Sequence, residues 1–476
     1  MEKKIQFGTS GWRDILAESF TFDRVRLVAQ AIADFLNQER KDRAPRVLVG
    51  YDTRFLGKRF SEAVASVLAG NGIQVIRATE PVPTPVISFE ILRRKLSGGV
   101  NVTASHNPPE WNGLKFSPAW GGPALPETTR QIENRANALL ADPSGLRQVS
   151  LKEAQAQGLW EEEAIGAAYR EKVSAFLDDA AFHQSKGRFR VAVDPFWGTS
   201  FGYLDRILKE KGVEVDLIHQ ERDPSFGGIR PDPEGESLDE LIAKVREGNY
   251  DLGLATDCDA DRFGVLDRGG AAIPPNYVIA LLLDYLVTDR EMTGQVARSV
   301  ATSHLVDAVA KAHHLEVVET PVGFKYIGEL IAKDALLIGG EESGGISIRG
   351  HLPEKDGILT TLLVAEMVAK RKRPIGMMLE ELFKKVGFFY PKRRDLPLSP
   401  EGRERLKGLM ERPPAAIGGK KVAGHSRIDG LKLLFEGGGW ALFRPSGTEP
   451  LARIYVEASE QNESDRLVAA CEALLK

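Results

Sequence analysis

Three aspartates occupy alternate positions in Asp257-Cys258-Asp259-Ala260-Asp261, and Arg262 closes the run. In an extended segment alternate side chains point the same way, so three carboxylates at this spacing can grip one hard cation through oxygen. An EF-hand loop is excluded, because counting from Asp257 its glycine and glutamate positions hold Arg262 and Arg268. A site with few protein ligands beyond three carboxylates favours Mg2+, completed by a phosphate oxygen. Cys258 is expected to face the other way, as packing. A second cluster, Thr103-Ala104-Ser105-His106-Asn107-Pro108, continues to Asn112-Gly113-Leu114-Lys115. It places Ser105 on a strand-to-loop corner, where the hydroxyl is expected to be exposed and free to react. His106, Asn107 and Lys115 can donate to a doubly charged phosphate, and Pro108 stiffens the corner. Ser105 does not sit in a GxSxG elbow, which argues against an esterase role for it.

Three further loops are weaker signals. Gly339-Gly340-Glu341-Glu342-Ser343-Gly344-Gly345 suits recognition of sugar hydroxyls at close backbone approach, although a tight turn looks similar, and either glutamate could pair with a lysine. Arg444-Pro445-Ser446-Gly447-Thr448-Glu449-Pro450, with Arg453 beyond, combines an arginine fork, hydroxyls and backbone amides into a plausible phosphate nest. It is not a Walker A loop, and a structural turn explains it equally well. Phe7-Gly8-Thr9-Ser10-Gly11-Trp12-Arg13 offers Arg13 on a small-residue loop, with Trp12 as packing. His304, His313 and His314 read as ordinary helix residues.

These groups need scaffolding, and the chain supplies strands that end in them. Strands are expected over Arg46–Gly50, Ile73–Ala78 and Gly99–Ala104, then Arg190–Val193, Val213–Ile218 and Asp251–Ala255, then Gln295–Val300, Leu315–Glu319, Ala335–Ile338 and Trp440–Phe443. Helical periodicity marks Asp23–Lys41, Lys58–Ala69, Phe201–Lys211, Leu305–Ala312 and a segment after Lys325. Ser237-Leu238-Asp239-Glu240 carries a capping-box signature. Ligands gather at the carboxyl ends of strands in open α/β sheets, which is where the serine, aspartate and glutamate loops fall. Linkers are expected near 145–160, 267–275 and 371–400.

Composition bounds the rest. A length of 476 residues calls for several cores. With 42% hydrophobic and 27% charged residues the chain reads as globular. A net charge of -4 gives no global attraction to nucleic acid or anionic membranes. Cys258 and Cys471 are far apart and suggest neither a disulfide framework nor a CxxC metal site. The start lacks the apolar segment of a signal peptide, and a cytoplasmic location is expected.

Taken together and in this order, from Phe7 to Arg453, these motifs resemble those of the α-D-phosphohexomutase family, which includes phosphoglucomutase, phosphomannomutase and phosphoglucosamine mutase. The resemblance implies an α/β fold of four domains around a central cleft: three related α/β domains plus a smaller C-terminal α+β (TATA-binding-protein-like) domain. The expected bounds are 1–150, 151–268, 269–375 and 376–476. It implies that Ser105 carries the phosphoryl group, and that Asp257, Asp259 and Asp261 bind Mg2+ with the phosphorylated Ser105 as a further ligand. Lys115 becomes the candidate general base, beside Arg13 and His106 among the catalytic groups. Glu341 and Ser343 would hold sugar hydroxyls. Arg444, Ser446, Gly447 and Thr448, with Arg453, would clamp the phosphate that is not reacting, while Arg262 and Lys325 line the cleft. The implied partner is a hexose phosphate, with glucose 1,6-bisphosphate as activator and intermediate, acting on a monomer or homodimer. Two positions depart from the common pattern: Asp14 where many members have glycine, and Gly345 where many have histidine. The loop GEESGG is closest to the GEESFG of phosphoglucomutases, which favours glucose over the phosphomannomutase and phosphoglucosamine mutase alternatives. A Mg2+-dependent phosphatase and a sugar-phosphate-binding protein without chemistry are the more distant readings.

Overall fold

The structure, a computed structural model, describes residues 3–39, 44–184, 187–445 and 451–476, which form four β-sheets. The first has seven strands, ordered Phe7–Gly8, Gly11–Ile15, Trp111–Pro118, Gly98–Val102, Arg46–Tyr51, Gln74–Ala78 and Trp160–Glu163. Its centre is parallel, with Arg46–Tyr51 between Gln74–Ala78 and Gly98–Val102. These strands are apolar on both faces because helices cover both sides. Helix Phe22–Gln38 starts where the Thr21 side chain accepts from the Arg24 backbone N–H, and it buries Val25, Val28, Ile32 and Leu36 on one stripe. The second and third sheets have four strands each, ordered Phe263–Asp267, Leu252–Thr256, Arg190–Asp194, Glu214–Leu217 and Val317–Thr320, Gln295–Ser299, Leu336–Glu341, Gly345–Ile348. The fourth is a six-stranded antiparallel sheet from Tyr390–Pro397 to Ala416–Ile417, backed by helix Gln461–Ala473. Three α/β units and a C-terminal antiparallel unit are therefore present, as the fold class implied.

One device recurs. The strand Gly98–Val102 is followed by the antiparallel Trp111–Pro118, Leu252–Thr256 by Phe263–Asp267, and Leu336–Glu341 by Gly345–Ile348. The strands flanking residues 446–450, Trp440–Pro445 and Leu451–Ala458, also pair antiparallel. The serine, aspartate and glutamate loops are thus hairpin tips, held at both ends by ladder hydrogen bonds.

The second and third units share one apolar core. Helix Gly357–Arg371 is buried continuously from Gly357 to Ala369, with its polar Thr360, Thr361 and Glu366 hydrogen-bonded inside, and residues from Tyr169 to Phe383, together with Val86 and Phe89 of the first unit, join its cluster. The fourth unit has its own core. It touches the third through a small patch of Val300, Ala301, Trp440, Leu442 and Tyr455.

Several local expectations are corrected. Residues 145–160 are not a linker: helix Leu151–Ala156 opens with a complete Ser150/Glu153 capping box, and the following strand Trp160–Glu163 joins the first sheet beside Gln74–Ala78, beyond position 150. Residues 371–400 hold helix Ile375–Val386, packed on Pro275–Thr288 and Leu305–Ala312, and then strand Tyr390–Pro397. Ser237 does not cap the helix that follows it. Its hydroxyl donates to the Arg230 carbonyl and the Glu240 carboxylate is engaged by His219, so helix Asp239–Gly248 begins from a 3-10 turn.

Candidate active site

Strand Gly98–Val102 delivers Ser105 at a φ of 53°, and strand Leu252–Thr256 delivers the aspartates around Ala260 at a φ of 58°. A left-handed conformation at a non-glycine residue costs roughly 1–2 kcal/mol, so both tips must be held in place. For the serine tip, Thr103 Oγ1 accepts from the Ser105 N–H at 2.8 Å. Arg54 supplies the rest. Its guanidinium donates to the carbonyls of Ser105, Asn107, Pro108 and Trp111 at 2.5–3.0 Å, faces Asp52 at 3.4 Å and lies 5.0 Å from the Phe226 ring centre. For the aspartate tip, the Ala260 N–H donates to the Asp257 carbonyl, and the Thr84 N–H and hydroxyl donate to Asp259.

These tips meet. Ser105 Oγ donates to Asp257 Oδ2 at 2.6 Å. The serine is not exposed, as the corner suggested, but 1% accessible, because its hydroxyl turns inward to the carboxylate. Each of Asp257, Asp259 and Asp261 offers an oxygen within 4.8 Å of the others. Lys115 Nζ donates to Asp259 at 2.5 Å and Asp261 at 2.7 Å, and Lys355 pairs with Asp261 at 2.9 Å. Burial and the charges of Asp259 and Asp261 push the Asp257 carboxyl well above its ordinary range. At Asp261 burial acts in the same direction but Lys115 and Lys355 outweigh it, and that carboxyl is held down. Asp259 Oδ1 and Asp261 Oδ1 are buried without any hydrogen-bond partner among the described residues. Buried carboxylate oxygens left in that state are costly. Two such oxygens beside Asp257 fit a hard divalent ion with an all-oxygen shell, and Mg2+ suits that donor set. Cys258 faces away, with Sγ donating to Asp52 at 3.3 Å.

At Lys115 burial and Arg13 act to lower the pKa, but Asp259 and Asp261 prevail and raise it. His106 is the opposite case: burial first, then Arg262 and Arg13, hold it well below its ordinary value. This keeps a neutral imidazole with Nδ1 3.4 Å from Ser105 Oγ. Arg13 donates to the Asn107 side chain at 2.7 Å and so buttresses the serine loop.

Above the cluster opens a polar cleft of about 480 Å³, lined from all four sheets. His106, Arg262, Glu341, Ser343, Arg444 and Arg453 all line it, whereas Lys325 does not. Burial lowers the Lys325 pKa, and Glu341, Asp429 and Arg444 are the charges acting on it. Among the described residues neither glutamate of the sugar loop pairs with a lysine: Glu341 accepts from the Gly323 N–H at 2.6 Å, and Glu342 accepts from the Ser299 hydroxyl at 2.8 Å. Burial, then Glu342, pushes the Glu341 carboxyl up to about 7. Arg444 is oriented by Asp429 at 2.8 Å. Ser446, Gly447 and Thr448 lie outside the described residues.

Sequence reasoning missed Arg54, Thr84, Lys355 and the cleft-lining Asp232 and Arg393. Arg54 was reachable, since Asp52-Thr53-Arg54 follows a buried strand just as Ser105 does. Lys355 precedes the helix-capping Asp356, a signal for a helix start and not for chemistry. His304, given no role, contacts Lys432 of the fourth unit at 2.9 Å.

Four family models match the chain in order. Phosphoglucomutase/phosphomannomutase alpha/beta/alpha domains I, II and III cover residues 4–141, 167–270 and 274–386, and the C-terminal domain covers 402–474. The chain is 32% identical to a phosphoglucomutase of Komagataeibacter xylinus, over 96% of this chain and 88% of that one. It is 30% identical to a phosphoglucomutase/phosphomannomutase of Thermococcus kodakarensis, over 96% and 95%. A crystal structure from Thermus thermophilus, assigned as a phosphomannomutase, superposes with a TM-score of 0.84 at 33% identity, covering 100% of this chain and 99% of that one.

Proposed function

From the premise that this chain belongs to the phosphoglucomutase/phosphomannomutase family and is a phosphohexomutase, we propose that it interconverts glucose 1-phosphate and glucose 6-phosphate through a phosphorylated Ser105. The observation that carries the reading is the 2.6 Å approach of Ser105 Oγ to the aspartate cluster, which puts a nucleophilic oxygen beside a built cation site. Phosphoryl transfer depends on positioning and charge neutralisation more than on covalent chemistry by the protein.

Asp257, Asp259 and Asp261 would hold Mg2+, which would neutralise charge on the transferring group. The substrate's own phosphate docks on Arg444 and Arg453, across the cleft from Ser105. Glu341 and Ser343 hold the sugar hydroxyls, and the free hydroxyl faces the phosphoserine. As the sugar oxygen bonds to phosphorus and the Ser105 Oγ–phosphorus bond breaks, the hydroxyl proton must end on Ser105 Oγ. Lys115 and His106 are the groups placed to carry it. Lys115 is held as an ammonium by Asp259 and Asp261, so accepting a proton requires that hold to loosen. His106 stands as a neutral imidazole at Ser105. The resulting 1,6-bisphosphate turns end over end, returns its other phosphate to Ser105, and leaves as the isomer. A closing movement of the fourth unit would help keep out water, the competing acceptor.

Glucose is favoured by the loop Glu341-Glu342-Ser343-Gly344-Gly345. The test is a coupled assay with Mg2+ and glucose 1,6-bisphosphate that compares glucose, mannose and glucosamine 1-phosphates by kcat/KM. Glucose 1-phosphate is expected to lead. A higher value for another sugar would overturn the sugar assignment, and phosphate release without isomerisation would overturn the mutase mechanism. Chelation should stop turnover, and added Mg2+ should restore it.

A further inference from the structure

The segment 351–357 runs between the aspartate tip and the sugar loop and is stitched to both. The Asp356 N–H donates to the Ile346 carbonyl at 3.1 Å, and the Gly357 N–H to the Ala260 carbonyl at 3.0 Å. The approach to the metal loop is close enough to require glycine: a Cβ on Gly357 would lie 2.2 Å from the Arg262 carbonyl oxygen. On the other side the Lys355 chain passes through the space that a side chain at Gly345 would need, 2.4 Å from its Cβ position to Lys355 Cδ. Lys355 thereby reaches Asp261 and lines the cleft. Its charge acts on Glu341 of the sugar loop and on His106 beside Ser105.

Lysine has a long flexible stem, and fixing it needs a rigid root. Here the root is Asp356. Its Oδ1 accepts from the Leu359 N–H at 2.9 Å, capping helix Gly357–Arg371. Its Oδ2 accepts from the Tyr169 hydroxyl at 2.6 Å and is met by His351 Nε2 at 2.7 Å. Tyr169 is buried on helix Ala167–Phe176 of the second unit. The His351 side chain is fully enclosed, and its Nδ1 has no hydrogen-bond partner among the described residues. The tautomer with hydrogen on Nε2 therefore donates to Asp356, and that bond is the hydrogen bond the ring makes.

Resting on the phosphoryl-transfer reading above, we propose that Tyr169 and His351 are positioning residues for the reaction: by clamping the Asp356 carboxylate from two sides they hold the Lys355 ammonium at the seam between the aspartate cluster and the sugar loop. Neither lines the cleft. They act across the boundary of the second and third units, whose shared core makes the clamp rigid.

The test uses the full chain with Tyr169→Phe, His351→Ala and His351→Gln, each made alone and on Lys355→Met. A misplacement of about 1 Å can lower a rate roughly a hundredfold. We therefore expect Tyr169→Phe and His351→Ala to lower kcat about tenfold or more while KM for glucose 1-phosphate changes less than about twofold. His351→Gln, whose amide can still donate to Asp356, should recover much of the loss. On Lys355→Met the same changes should cost less than about twofold, because the group they position is gone. Equal losses in both backgrounds, or no loss with Tyr169→Phe, would overturn the proposal. Tyr169→Phe removes one oxygen and keeps the fill, so it remains decisive if His351→Ala fails to fold. A wild-type protein that isomerises no hexose phosphate would instead refute the phosphoryl-transfer reading itself.

Discussion

Replacing Arg54 by lysine probes whether the serine tip is held by one guanidinium. Arg54 is inaccessible to solvent and gives four hydrogen bonds, at 2.8, 3.0, 2.6 and 2.5 Å, to carbonyls of the tip between Ser105 and Trp111. Lysine keeps the charge opposite Asp52 but replaces a planar fork with a single nitrogen. At best it serves about two of the four carbonyls. Two lost hydrogen bonds from a charged donor amount to about 3–6 kcal/mol, and water reaching the part-buried carbonyls of Asn107 and Pro108 favours the lower end. Since a folded unit is stable by only about 5–15 kcal/mol, this is a large fraction. At roughly 2–4 °C per kcal/mol for a unit of this size, melting should fall by about 6–24 °C, toward the lower end of that range. Activity should fall further than stability explains. Once released, Ser105 can relax from its left-handed φ, and its hydroxyl leaves Asp257; a displacement of about 1 Å corresponds to roughly a hundredfold in kcat. Thermal melting and the coupled assay for glucose 1-phosphate, run below the variant's transition, measure both. An Arg54→Lys protein that melts within about 2 °C of wild type and keeps more than half its kcat would refute the idea that this fork sets the serine geometry.

Other consequences are simpler to read. Ser105→Ala should abolish interconversion of glucose 1-phosphate and glucose 6-phosphate with little change in melting; undiminished turnover would remove Ser105 from the mechanism. Arg444→Ala should raise KM about tenfold or more, the scale of one charge-assisted hydrogen bond, with a smaller effect on kcat, and an unchanged KM would refute the phosphate clamp. Lys432 enters the contact between the third and fourth units, where Nζ reaches the Val300 carbonyl, His304 and Glu319 at 2.8–2.9 Å. Burial, then Arg298, lowers its pKa from 10.5 to about 8. Between those values the unfolded chain binds the proton that the folded one has lost, so stability from this group rises with pH across about 8 to 10. Comparing melting of wild type and Lys432→Met against pH should show the wild type gaining relative to the variant in that window; parallel curves would refute the shift.

The sequence alone determined the chemistry each loop carries and the strand end on which it sits. Three aspartates at alternate positions, or a serine next to His106 and Asn107, are local facts, and the period of a buried strand is local as well. Arg46–Tyr51 and Leu252–Thr256 were therefore legible to within a residue or two. The capping box was misplaced at Ser237 and belongs at Ser150, because a matching pair of residue types does not say which other partners compete for Glu240. Only the tertiary structure decided that Ser105 and Asp257, 152 positions apart, share a hydrogen bond. It likewise decided that Lys115 is gripped by Asp259 and Asp261, and that Arg54 and Lys355 stand behind the two tips. Residue spacing encodes which way a side chain points from its own strand. Which hairpin tips face one another depends on how separate sheets pack, and that is settled by buried surfaces such as helix Gly357–Arg371, whose partners lie far away in the chain.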